Sequence, residues 1–145
     1  MNNKLAAMLL KLTHLFAWLP PVFARLAIGV TFIDSGWGKL HNIPKVTEFF
    51  TSLGIPYPAI QAPFVAGVEF FGGALVLAGL LTRLASVPLV GTMVVAILTA
   101  KAKDLERIWD LFGLEEFLLI GLLVYLIVEG AGVLSLDRVI FGKKK

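Results

Sequence analysis

The chain contains no cysteine among its 145 residues. That removes disulfides, thiolate nucleophiles, cysteine-held zinc and iron–sulfur clusters from consideration. Histidine is nearly absent too: His14 and His41 are the two present, both outside the apolar stretches, so a haem slung between two imidazoles has no visible ligands. No metal-ligand cluster, phosphate-binding loop, dinucleotide fingerprint or catalytic triad can be read from the spacing. Charge is scarce, at 16% of residues against about a quarter in a soluble domain. The net charge of +3 is small and its bearers scattered, which argues against a nucleic-acid partner. A cleavable secretory leader is not expected, because Lys11 and His14 interrupt the first apolar run and no small-residue cleavage pattern follows.

What remains is apolar. Hydrophobic residues make up 58% of the chain and its mean hydropathy is +0.88. Four stretches are about long enough to cross a hydrocarbon core of roughly 30 Å as helices. The expected fold is therefore all-α: a polytopic membrane protein with a four-helix transmembrane bundle and an N-terminal amphipathic interfacial helix.

That interfacial helix covers residues 1–19, the bundle 20–138 and a basic tail 139–145. In the first segment Leu5, Met8, Leu9, Leu12, Leu15, Phe16 and Leu19 recur at helical spacing, with Lys4, Lys11 and His14 between them. Pro20 and Pro21 break it and open the next helix. Spans are expected at residues 21–37, 62–81, 84–100 and 117–134. Between the first two, Pro44 opens a short amphipathic helix that Gly54 closes, followed by a turn through Ile55-Pro56-Tyr57-Pro58. Ala74 and Ala78 offer a small-residue pair for close helix approach. Thr82-Arg83 is read as the connection of an antiparallel hairpin, and Pro88 as a kink in the third span.

With four spans both termini share one side. That side holds seven basic residues (Lys4, Lys11, Arg83, Arg138, Lys143, Lys144, Lys145) against five on the other (Lys39, Lys45, Lys101, Lys103, Arg107). The positive-inside rule then favours cytoplasmic termini in a bacterial or archaeal plasma membrane.

The ionisable residues inside the spans carry the functional question, because a central Arg or Asp costs about 2.5 to 3.5 kcal/mol to insert. Arg25 and Glu129 lie at similar depth near the terminal side and are expected to form a structural ion pair. Arg25 and Asp34 are nine residues apart, on opposite faces and roughly 13 Å apart in height. Asp34 therefore needs another counter-ion, with Lys39 or Lys101 at the outer rim available. Glu69, above Gly72 and Gly73, is the candidate proton-exchanging group. Glu115, Leu122 and Glu129, with Tyr125, suggest a polar seam along the fourth span. Trp18, Trp37 and Trp109 read first as interface anchors.

The blocks Arg25-Leu26-Ala27-Ile28-Gly29, Gly36-Trp37-Gly38-Lys39-Leu40 and Leu53-Gly54-Ile55-Pro56 occur in order along the chain. They are followed by Val68-Glu69-Phe70-Phe71-Gly72-Gly73, Gly79-Leu80-Leu81-Thr82-Arg83 and Gly130-Ala131-Gly132-Val133-Leu134-Ser135-Leu136-Asp137. In this series the chain resembles the DoxX family of small four-helix membrane proteins; the amino-terminal segment lies outside the resemblance. The resemblance implies a link to membrane redox complexes, in which some members look like partners, but supplies no reaction. The expected function is thus a membrane subunit of a redox-associated complex with no covalently bound cofactor. Its polar pocket would be formed by Asp34, Trp37, Lys39, Glu69 and Lys101 and would receive a quinone or similar small ligand. Its partners would be the bilayer, a redox protein and a second copy of the chain. Two alternatives stand beside it: proton or small-solute permeation, and a purely structural assembly subunit.

Overall fold

A computed structural model of the chain describes residues 3–142 and, within them, all side chains except those of residues 3–7, 9, 12 and 104. The ends of the expected interfacial helix and basic tail, residues 1–2 and 143–145, lie outside the described part.

The described residues form helices and turns, with no strand among them. Helix α1 (Asn3–Phe16) leads through a turn at Ala17 and Trp18 into α2 (Leu19–Leu40). The break thus precedes the two prolines, which occupy the first turn of α2, where a missing N–H costs nothing. Helix α3 (Ile43–Ser52) is the expected short amphipathic helix, opened by Pro44 and followed by Gly54 at φ +72°. Helix α4 (Pro58–Ala78) ends at Gly79, whose left-handed φ of +69° makes the C-terminal cap. Leu80 and Leu81 complete the hairpin to α5 (Thr82–Ala96). Thr82 and Arg83, expected as the connection, are instead the first helical residues of α5. A π-helical turn, Ile97–Lys101, extends α5, short 3₁₀ turns lead to α6 (Glu115–Glu129), and an irregular glycine turn leads on to α7 (Leu136–Phe141).

Three helical stretches are long and apolar enough to cross a membrane: Thr13–Leu40, Pro58–Ala78 and Thr82–Lys101. The fourth, α6, has 15 residues, about 22 Å of helix, and so falls short of the expected 117–134. Gly130 and Gly132, at φ +82° and +77°, end it in a turn.

The starts of α2 and α5 and the ends of α4 and α6 gather at one pole, so these four helices alternate in direction. Two devices fasten that pole. The Arg25 guanidinium donates to the carbonyls of Val76 (3.1 Å), Leu77 (2.7 Å), Ala131 (3.0 Å) and Leu134 (2.5 Å). Carbonyls at a helix end and in a glycine turn lack helical donors, and the five N–H groups of one guanidinium supply them. The Asp137 carboxylate accepts from the N–H groups of Leu81 (2.6 Å) and Thr82 (3.1 Å), capping α5.

The core joins Ile28 and Phe32 of α2, Val76 of α4, Leu89 and Met93 of α5, and Leu123 and Leu126 of α6. Phe23, Leu26, Phe71, Leu84, Leu98 and Val128 point outward. An apolar exterior of this kind suits a lipid surrounding.

Helices α2 and α4 nearly touch. A Cβ built on Gly29 would come within 2.6 Å of the Leu77 Cβ, and one on Gly73 within 2.9 Å of the Ile33 nitrogen. Ala74 and Ala78 do not make this contact as expected: Ala74 is half-buried and Ala78 exposed. The glycine stripe does it, because absence of a Cβ lets two backbones meet.

Candidate functional site

Gly36 sits at the closest approach of α2 and α4. A Cβ there would meet Phe70 of α4, 2.7 Å from its Cα. The residues beside that contact, Ser35 and Glu69, are thereby brought within hydrogen-bonding distance. The Ser35 hydroxyl donates to Glu69 Oε2 at 2.9 Å and accepts from Lys39 Nζ at 2.9 Å, while Lys39 also binds Glu69 Oε2 directly. Ser35 and Lys39 are four residues apart on α2 and share one face. Glu69 is 2% exposed and Lys39 28%. A carboxylate this deep is tolerated because a cation and a hydroxyl satisfy it.

This triad forms part of the wall of a cleft of about 1070 Å³ between the helices. Apolar surface dominates it: Phe49 and Phe50 from α3, Phe64, Val65 and Val68 from α4. Helix α3 is held there by Phe50 and Ile55 packing on Ala62. Asp34, Gln61, Thr92, Lys101, Glu115 and Glu116 add polar groups. Lys101 is delivered by the π-helical turn and lies 4.0 Å from Glu116 Oε1.

Of the residues singled out from the sequence, Asp34, Lys39, Glu69 and Lys101 line this cleft together. Trp37 does not. It is 54% exposed on another face of α2, against His41 and Phe70, with ring centroids 4.1 and 5.7 Å away.

Three pairings differ from expectation. Among the described residues Arg25 meets no carboxylate side chain; backbone carbonyls take its donors, and Glu129 is exposed. Lys39 pairs with Glu69 rather than Asp34, which is exposed at the cleft rim. Of the Glu115–Leu122–Glu129 seam, Glu115 alone reaches the cleft. Leu122 and Glu129 are exposed, and α6 presents Leu119, Leu123 and Leu126 inward. Ser35 and Glu116 were missed. Ser35 had a signal, its four-residue spacing from Lys39; Glu116 had none beyond its place in the turn before an apolar run. Among the described residues no three metal-ligating side chains cluster.

Helices of spanning length, an apolar outside and a buried ion pair beside an internal cleft define a polytopic helical membrane protein. The chain belongs to the DoxX family, whose model matches residues 21–102. It is 33% identical over 123 residues to "Putative oxidoreductase CatD" of Bacillus subtilis (strain 168), covering 83% of this chain and 87% of that one. Similarity extends to inner membrane protein YqjF of Escherichia coli (strain K12), 26% identical over 117 residues, with 81% and 88% covered. An uncharacterised membrane protein of Mycobacterium tuberculosis is 35% identical over 134 residues, with 82% and 81% covered. No solved structure matches the chain.

Proposed function

We propose that the protein is an integral membrane subunit of a redox-associated complex. In this reading the cleft receives the head group of a quinone or a similar small, neutral, oxygen-bearing ligand. The observation that carries this is the Lys39–Ser35–Glu69 triad set into the wall of a mostly apolar cleft. Such pockets bind by apolar surface and orient by a few convergent polar groups. Phe49, Phe50, Phe64, Val65 and Val68 supply the surface. Lys39, the more exposed member, offers its ammonium to a ligand carbonyl.

A quinone takes up two electrons and two protons on reduction, and the electrons belong to a partner subunit in this reading. The chain's own part is to bind, to exclude water and to hold a proton. Glu69, behind Lys39, exchanges a proton with it, so the proton role expected of Glu69 acts through Lys39. The printed name of the Bacillus subtilis relative, "Putative oxidoreductase CatD", supports the redox setting. Helix α6 with residues 130–134 is taken as a fourth crossing, α1 as lying at the interface, and both termini as cytoplasmic.

The test is titration of the detergent-solubilised protein with a tail-less naphthoquinone, followed by tryptophan fluorescence. Lys39→Met should weaken binding about 10- to 100-fold, as for loss of one hydrogen bond to a charged group. Glu69→Gln should weaken it in the same direction. Binding unchanged in both variants would remove the triad from the function.

A further inference from the structure

We infer that the cleft opens sideways into the lipid between α4 and α5, and that its natural ligand is an amphiphile dissolved in the bilayer, a neutral oxygen-bearing head on an apolar tail. The head-group half of this statement rests on the function proposed above; the opening rests on geometry alone.

Near their hairpin α4 and α5 are in contact, since a Cβ on Gly72 would meet the Leu89 side chain at 3.1 Å. Further from the hairpin, Phe64, Val65 and Val68 of α4 and Gly91, Thr92 and Val95 of α5 line the cleft. Several of these also face outward: Phe64 is 66% exposed and Val95 47%. A Cβ placed on Gly91 would meet nothing within 4 Å, so open space begins at the α5 backbone.

The other seams differ. Between α2 and α4 the backbones are sealed at Gly29, Gly36 and Gly73. Val30 and Asp34 on α2 are exposed as well, but that side of the cleft is bordered by carboxylates, Asp34 on α2 and Glu115 and Glu116 on α6. Carboxylates repel an acyl or isoprenoid tail and attract water and protons. The six residues named at the α4–α5 seam are apolar apart from the Thr92 hydroxyl, and Gln61 and Thr99 beyond them are polar but uncharged. The two openings therefore have separate tasks. A tail lies out between α4 and α5 with its head at Lys39, and protons arrive past Asp34 and the start of α6.

The test is Gly91→Phe, with Gly91→Leu as a smaller plug, in protein reconstituted in vesicles. A bilayer-dissolved diazirine probe should label Val68 and Thr92 in the wild type, mapped by peptide mass spectrometry. Labelling should fall about tenfold in the plugged variants and stay unchanged in Val128→Phe, an exposed position elsewhere on the bundle. A long-tailed quinone should lose about tenfold more affinity on going to Gly91→Phe than the tail-less one does. A wild type unlabelled at Val68 and Thr92, or labelling indifferent to the plug, overturns the opening. Labelling as expected with no quinone bound by the wild type upholds the opening and overturns the head-group reading.

Discussion

Arg25 decides how one pole of the bundle is held, and it does so through backbone carbonyls. Its guanidinium serves carbonyls from two chain segments, Val76 and Leu77 at the end of α4 and Ala131 and Leu134 beyond α6. Each buried carbonyl left without a donor costs about 1 to 3 kcal/mol. Arg25→Gln should therefore cost at least about 3 kcal/mol, seen as a lower unfolding midpoint in detergent. Glu129→Gln should stay within about 0.5 kcal/mol, the usual range for an exposed position. Equal losses in the two would restore the ion pair first expected. The depth of each charge was legible in the sequence, because hydropathy and a rise of about 1.5 Å per residue fix height. Its partner was not. In a segment that is apolar all round, periodicity does not say which stripe faces inward, and α6 was phased on its carboxylates when Leu119, Leu123 and Leu126 are the packed positions.

At the scale of elements, the contact of α2 with α4 assembles the triad. Gly36 lets the Phe70 backbone approach, and the adjoining Ser35 and Glu69 then bond. Gly36→Val should push the helices apart, costing about 1 to 3 kcal/mol as overpacking does. Quinone binding should weaken along with stability, since Ser35 and Glu69 separate together. Gly38, where an added Cβ meets nothing within 4 Å, is the control: Gly38→Val should leave binding unchanged. Loss of stability in Gly36→Val with full binding retained would uncouple the helix contact from the cleft. The Lys39–Glu69 link joins a buried carboxylate to a partly exposed lysine. Lys39→Met alone should cost about 3 to 5 kcal/mol by stranding the carboxylate, and adding Glu69→Leu should recover much of that. The apolar spacing of residues 46–53 marks α3 as an amphipathic helix, yet nothing in it announces that Phe49 and Phe50 line the cleft. Where a short helix docks depends on the turn around Tyr57, whose left-handed φ of +51° propensity does not announce.

For the whole molecule the open question is which face of the membrane the cleft addresses. The alternating helices put α3 and the cleft at one pole and α7 at the other, next to Arg25 and Asp137. A chain without cysteine is a ready background for labelling. With cytoplasmic termini, Thr51→Cys in α3 should react with a membrane-impermeant maleimide on intact cells. Gly142→Cys, after α7, should react only once the membrane is permeabilised. The reverse pattern would invert the bundle, and with it the side from which Asp34 and the first turn of α6 draw protons. Because seven basic residues against five is a narrow margin for the positive-inside rule, adding two lysines beside Thr51 should be enough to produce a mixed labelling pattern. A pattern that resists those two lysines would mean that orientation is fixed by the packing of the Arg25 pole before loop charge can act.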